Sequence, residues 1–265
     1  MRKGYFKEDN YKTPSDTPRM LFDKLMLGSR WAFIIKFVQL LFRDRKSAFE
    51  GKYDTKTWAD SSHDIFKLME SCGGKFDIAG IQHLHNSDTP VVYICNHMST
   101  LETVIFPGLL APVKETTFIV KESLVRHKVF APIMKARSPI VVERKDPRAD
   151  FKAVMEQGKD MLSRGISVVI FPQSKRNLTF VPEEFNTLGV KLAKAAGAQV
   201  VPMAIKTDFW ENGALLKDLG PIYRDRTIHI EFGEPFYIEG NGKKEHTKII
   251  EFIQAKLESW QGGKG

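Results

Sequence analysis

Apolar residues along this chain fall into two patterns. The first is a series of short, nearly unbroken runs: PVVYICNH (90–97), TTFIVK (116–121), PIVVER (139–144), ISVVIFP (166–172), QVVPMAI (199–205) and TIHIEFGEPF (227–236). Runs of this length, rich in Val and Ile and bounded by turn residues, predict buried strands. The second pattern has helical spacing. Residues 150–164 carry Phe151, Val154, Met155, Met161 and Leu162 and close at Gly165, 183–196 close at Gly197, and 244–260 carry Ile249, Ile250, Ile253 and Leu257. Glycine just past the last periodic residue is a helix stop signal. Strands alternating with glycine-terminated helices predict an α/β fold: a mainly parallel mixed sheet flanked by helices.

The first third of the chain reads differently. Residues 1–18 are polar, hold two prolines and predict an irregular lead-in. Residues 19–72 predict an N-terminal helical segment, whose last helix carries Ile65, Phe66, Leu68 and Met69 and stops at Gly73-Gly74. The α/β domain is expected over 73–265. The most apolar stretch, Trp31 to Phe42, is interrupted by Lys36 and Gln39. That is short of the roughly 20 apolar residues a spanning helix needs. Its flanks are cationic, with Arg19 and Lys24 before and Arg43, Arg45 and Lys46 after. A greasy helix between cations suits the interface of an anionic leaflet, although Asp23, Arg30 and Lys36 form no single polar stripe. The segment is therefore expected to be membrane-associating, with packing on the domain as the competing reading. No secretory leader is read from the polar opening.

Composition narrows the function classes. The 265 residues are 42% hydrophobic and 27% charged, which excludes a disordered chain. Two cysteines, Cys72 and Cys95, are too few for a disulfide framework. A net charge of +8 implies an anionic partner: nucleic acid, anionic lipid or a phosphorylated metabolite. No zinc spacing, glycine-rich phosphate loop or aromatic RNA motif supports nucleic acid. His83 and His85 form an H-x-H pair without a third ligand at useful spacing, so no metal site is expected.

The candidate chemistry lies at the end of the first long run. After Cys95 the chain reads Asn96-His97-Met98-Ser99-Thr100-Leu101-Glu102. Parallel sheets gather functional groups where strands end. A histidine there, with a carboxylate five residues on, can act as a general base held in one tautomer. Ser99 to Glu102 also spells an S-x-x-E capping box, which needs no chemistry to explain it. The two readings are compatible, because a carboxylate in a helix's first turn points back toward its start.

An N-H-x4-acid sequence after a buried strand resembles the first motif of the glycerolipid acyltransferases, the PlsC-like lysophosphatidic acid acyltransferase family. Three further stretches follow in the family's order: KESL (121–124) with PIVVER ending at Arg144, FPQSKR (171–176) beside the usual FPEGTR, and VVPMAI (200–205). The resemblance covers roughly residues 76–236. It implies an O-acyltransferase that moves an acyl chain from acyl-CoA or acyl-carrier protein, as co-substrate and with no cofactor, to the hydroxyl of a lysophospholipid. The acceptor it favours is 1-acyl-sn-glycerol-3-phosphate. By the same resemblance His97 is the base and Glu102 its orienting carboxylate. Arg144 and Arg176, with Lys121 and Lys175, would hold the acceptor's phosphate, and Phe171, Pro172, Gln173 and Ser174 would form the acceptor loop. Pro202, Met98 and Phe106 would meet the acyl chain. Such an enzyme would sit peripherally or monotopically on the cytoplasmic face of the membrane. Cys95 reads as a small buried apolar residue rather than a nucleophile.

The sequence also departs from the family. Glu102 replaces aspartate, Ser138 stands where glycine is usual, and Gln173, Ser174 and Lys175 replace Glu, Gly and Thr. Lys175 beside Arg176 is expected to leave the loop with two uncompensated cations. These changes keep a different anionic lysolipid or a non-catalytic lipid-binding relative open as alternatives, and hydrolysis of the thioester is a third, because the same base could activate water.

Overall fold

The computed structural model describes residues 4–173, 175–213 and 217–261. Eight strands form one mixed sheet: β1 (Tyr11–Lys12), β2 (Phe76–Ala79), β3 (Val91–Cys95), β4 (Thr116–Lys121), β5 (Ile140–Val142), β6 (Ser167–Ile170), β7 (Gln199–Lys206) and β8 (Ile228–Phe232), in the order β1-β2-β8-β7-β3-β6-β4-β5. β7, β3, β6, β4 and β5 run parallel; β8 is antiparallel to β7, β2 is parallel to β8, and β1 is antiparallel to β2. The helices are α1 (Leu21–Leu25), α2 (Arg30–Phe49), α3 (Thr55–Ser71), α4 (Leu101–Leu110), α5 (Glu122–Arg126), α6 (Ala131–Ala136), α7 (Pro147–Ser163), α8 (Leu188–Ala196) and α9 (Lys243–Gln261).

Side-chain alternation along the strands sorts the core into two layers. Tyr93 and Cys95 of β3 face the layer formed with α2, α3 and α4, whereas Val92 and Ile94 face α7, α8 and α9. All five residues of β3 are buried, as a central parallel strand covered on both faces requires. β8 differs: its IHIEF alternates buried and half-buried positions, in keeping with a place nearer the sheet's edge.

Local chemistry sets the helix ends. The Asp54 carboxylate accepts from the Thr57 N–H at 2.7 Å and caps α3. Gly73, at φ +89°, ends it and returns the Gly74 N–H to the Met69 carbonyl. Asp146 caps α7, with Pro147 in its first turn, so this helix begins before the expected residue 150. The helix expected from residue 183 starts instead at Leu188. Pro182–Glu184 form a separate 3-10 turn, and the Asn186 side chain accepts from the Leu188 N–H.

The lead-in is not wholly irregular, because Tyr11–Lys12 pairs with β2 and the Tyr11 and Thr13 hydroxyls both donate to Glu70. Nor does packing break at the expected boundary at 72/73. Phe33 and Phe37 of α2 pack edge-on against Trp210, and Phe66 of α3 stacks on Phe76 of β2. α2 therefore has two faces. Ala32, Phe33, Ile34 and Phe37 are buried in the core, while Trp31, Ile35, Phe42 and Phe49 are exposed. No helix among the described residues is long and apolar enough to cross a membrane. His83 and His85 fall on a 3-10 turn, Ile81–His85.

Candidate active site

The parallel strands end at one edge, and the motif residues follow those ends. Asn96 comes directly after β3. Its side-chain amide donates to the Ile205 carbonyl and accepts from the Ile205 N–H, both at 2.9 Å, which clips the start of the turn to β7. His97 comes next. Its Nδ1 lies 2.9 Å from Glu102 Oε1, and its ring stacks on Phe171 at 4.3 Å between centroids. The His97 N–H donates to Gln173 Oε1 at 3.1 Å and its carbonyl accepts from the Asn177 N–H at 2.9 Å. The loop after β6 thus pins the histidine's backbone from both sides.

Glu102 sits in the first turn of α4 and is fully buried. Its Oε1 accepts from the Met98 and Ser99 N–H groups as well as from His97, and its Oε2 accepts from the Ser99 and Thr207 hydroxyls at 3.0 and 2.8 Å. Burial pushes this carboxyl's pKa up. The His97 hydrogen bond and charge, together with the backbone donors, outweigh burial and hold it below its ordinary range. An ionised carboxylate against Nδ1 fixes the proton there and leaves the Nε2 lone pair available as a base. One half of the capping box is present, since Glu102 reaches back to the Ser99 N–H. The other half is altered: the Ser99 hydroxyl accepts from the Leu101 N–H. One carboxylate therefore serves both helix start and imidazole. Its extra methylene is taken up by the reach back past Thr100.

The cations expected at the acceptor's phosphate do not form one cluster. Lys121 ends β4 and pairs in register with Val142 of β5, so Lys121 and Arg144 reach the same edge. They line a cleft of about 480 Å³ with Ser123, Arg126, His127 and Lys145. Arg176 instead crosses toward the loop after β7, where its Nη1 donates to Thr100 Oγ1 at 2.7 Å and to Asp218 Oδ1 at 2.8 Å. Asp218 therefore offsets one of the two loop charges expected to be uncompensated, a pairing invisible in the local sequence. Lys175 is exposed. Ser174 lies outside the described residues. Pro172 and Gln173 are buried, and Phe171 packs against the core. Ser138 has φ +44°, the left-handed conformation that explains glycine as the usual residue there.

The three acyl-chain candidates are likewise separated. Phe106 is fully buried in the core layer beneath Phe171, and Met98 is also buried. Pro202 shares a sheet face with the buried Val200 and Ala204, opposite the face that Phe106 packs against, and sits against Gly233 near Phe252 of α9. Lacking an N–H, Pro202 accepts from Gly233 without returning a bond. Bridge pairing resumes at Val200 with Phe236, one residue out of step, which makes a bulge. Sequence reasoning did not find Thr207, Asp218, Asp150 or the clip made by Asn96. Thr207, Asp218 and Asn96 act through bonds to distant segments, whereas Asp150 bonds the backbone of Glu143 and Arg144 only six and seven positions away.

A buried strand ending in a histidine held by a buried carboxylate, with a cationic cleft at the same edge of the sheet, is an arrangement suited to base-catalysed transfer or hydrolysis. Similar proteins sharpen that class. The family model described as Acyltransferase matches residues 75–206, and the chain belongs to this family. It is 26% identical over 189 residues to the 1-acyl-sn-glycerol-3-phosphate acyltransferase of Pseudomonas aeruginosa, covering 71% of this chain and 68% of that one. It is 29% identical over 166 residues to a chloroplastic enzyme of the same name from Arabidopsis thaliana, covering 63% of this chain and 43% of the plant protein. The fold matches the crystal structure of the 1-acyl-sn-glycerophosphate acyltransferase PlsC from Thermotoga maritima, with a TM-score of 0.63 and 17% identity over 92% of this chain and 94% of that one.

Proposed function

We propose that the chain transfers a fatty acyl group from acyl-CoA or acyl-carrier protein to the free hydroxyl of 1-acyl-sn-glycerol-3-phosphate. The observation that carries this reading is the His97–Glu102 pair, with a five-bonded buried carboxylate behind a ring that is 13% exposed. Nε2 takes the hydroxyl proton as the oxygen attacks the thioester carbonyl. The tetrahedral intermediate then expels the thiolate, and the imidazolium returns its proton to that sulfur. Glu102 stabilises the imidazolium between these steps. No acyl-enzyme is required. Cys95 is fully buried, and desolvation, with Glu102 nearby, drives its thiol well above the ordinary range.

The cleft beside Lys121 and Arg144 suits the acceptor's phosphate, because a guanidinium fork can meet two phosphate oxygens at once. Arg176 would meet a phosphate only by exchanging Asp218 for it. That pairing favours a second reading, an acceptor other than lysophosphatidate. Mass spectrometry of purified protein given mixed lysolipids, with acyl-CoA and acylated carrier protein in turn, separates the two. Phosphatidate as the main product supports the first reading, and acylation confined to another lysolipid supports the second.

The same reading places the chain on the cytoplasmic face of an anionic membrane. Trp31, Ile35, Phe42 and Phe49 fall within about 40° of one another on α2 at 100° per residue, and Leu21 and Leu25 add exposed apolar surface on α1. Not every flanking cation is free to meet lipid. Arg19 is bound to Asp23, and Arg43 to Asp44 and Asp64. Lys46 pairs with Glu50, so Arg30 and Arg45, poised over Trp31 and Phe49, with Lys24, remain the better candidates.

A further inference from the structure

Arg144 has φ +62°, a left-handed conformation that an L side chain rarely adopts and that arginine has no special means of tolerating. Something must impose it, and the loop between β5 and α7 shows what does. The Asp150 carboxylate spans two consecutive amides: Oδ1 accepts from the Glu143 N–H and Oδ2 from the Arg144 N–H, each at 2.9 Å. Asp150 stands in the first turn of α7, where the helix dipole favours a negative side chain. Pro147 and the Asp146 cap fix where that turn begins. A rigid helix start therefore reaches back and locks the backbone of the residue two positions beyond β5.

We propose that Asp150 is the positioning residue that aims Arg144 into the cationic cleft for the acceptor's phosphate, an inference that rests on the phosphate-binding reading above. Backbone strain collects at functional positions when the surroundings over-determine it, and here one carboxylate does so. The two carboxylates that line the cleft pair with two of its other cations, Glu122 with Arg126 and Glu143 with Lys145, rather than with Lys121. Without Asp150, Arg144 relaxes to an ordinary φ. Its side chain then leaves the cleft it lines, while His97 and Glu102, after β3 and on α4, are untouched.

The test is a double-mutant cycle on the purified full chain with lysophosphatidate and acyl-CoA. Arg144→Ala is expected to raise KM for lysophosphatidate about tenfold or more with kcat within about threefold. Asp150→Ala should reproduce that split, and the double variant should be no worse than Arg144→Ala alone. Asp150→Asn keeps size and one acceptor oxygen, so its KM should rise by a smaller factor. Asp150 is only part-buried on the rim of the fold, so these replacements leave the core in place. With monoacylglycerol, which lacks the phosphate, Asp150→Ala should match the wild type. If Arg144→Ala leaves KM unchanged, the phosphate-binding reading fails. If it raises KM while Asp150→Ala or Asp150→Asn does not, or if the two effects multiply, the positioning role fails by itself.

Discussion

Replacing Glu102 with glutamine isolates the charge behind His97. The two backbone N–H groups of Met98 and Ser99 face Oε1, so the amide oxygen must take that position. The amide nitrogen then meets the Ser99 and Thr207 hydroxyls, which can rotate to accept. Every group stays paired and the volume is conserved, so folding should be nearly unaffected. What is lost is the negative charge on an oxygen 2.9 Å from Nδ1. A unit charge about 4 Å away is worth about 4 kcal/mol at an effective dielectric constant of about 20. A hydrogen bond to a charged group contributes about 1.5–3 kcal/mol. Taking about 3 kcal/mol as the loss of imidazolium stabilisation, at 1.36 kcal/mol per tenfold, kcat should fall about 150-fold. Following thiol release with lysophosphatidate present reads kcat and KM together. Glu102→Asp, which keeps the charge, should retain part of the activity. A glutamine variant within about threefold of wild type would refute the role assigned to this carboxylate. Stability adds a second check. The folded-state pKa of Glu102 is depressed, so its contribution is present above the ordinary carboxylate range and is lost as pH falls through the lowered value. The Tm difference between wild type and Glu102→Gln should therefore narrow in acid.

Three further outcomes follow from the geometry. Thr207→Val removes the 2.8 Å donor to Oε2 and should lower kcat about tenfold at unchanged KM, by the roughly 1–2 kcal/mol that such a bond contributes; a change under twofold would count against it. Burial pushes the Cys72 thiol up to about 12 and raises that of Cys95 too, so neither should react with a thiol reagent in the folded enzyme. Labelling of Cys95 with parallel loss of activity would reopen a covalent route. Changing Trp31, Phe42 and Phe49 together to serine should leave Tm in place, because all three are exposed, yet cut sedimentation with anionic liposomes by about tenfold or more. Unchanged partition would remove α2 from the membrane interface.

What was legible in the sequence was local. The all-buried VVYIC run, the five-residue spacing from His97 to Glu102 and the glycine stops are all written within a few residues. They gave the central strands, the His–Glu pair and most helix ends. The polar partners were illegible, because each bond joins distant segments: Thr207 reaches Glu102 across 105 positions, and Arg176 reaches Asp218 across 42. The two-residue strand at Tyr11 carries no pattern of its own. The side of the sheet that Pro202 faces was hidden for a different reason: a motif position shows that a residue is in a strand, and only the layer in which its same-face neighbours Val200 and Ala204 are packed tells which face it occupies. The two faces of α2 were in principle readable, since Trp31, Ile35, Phe42 and Phe49 repeat at helical spacing.

The most direct test compares wild type with His97→Ala, by mass-spectrometric detection of phosphatidate formed from lysophosphatidate and an acyl thioester. The account expects phosphatidate from the wild type and a fall of about a thousandfold in the variant, at an unchanged Tm. Equal rates from the two proteins, or no acyl transfer by the wild type to any lysolipid, would contradict it.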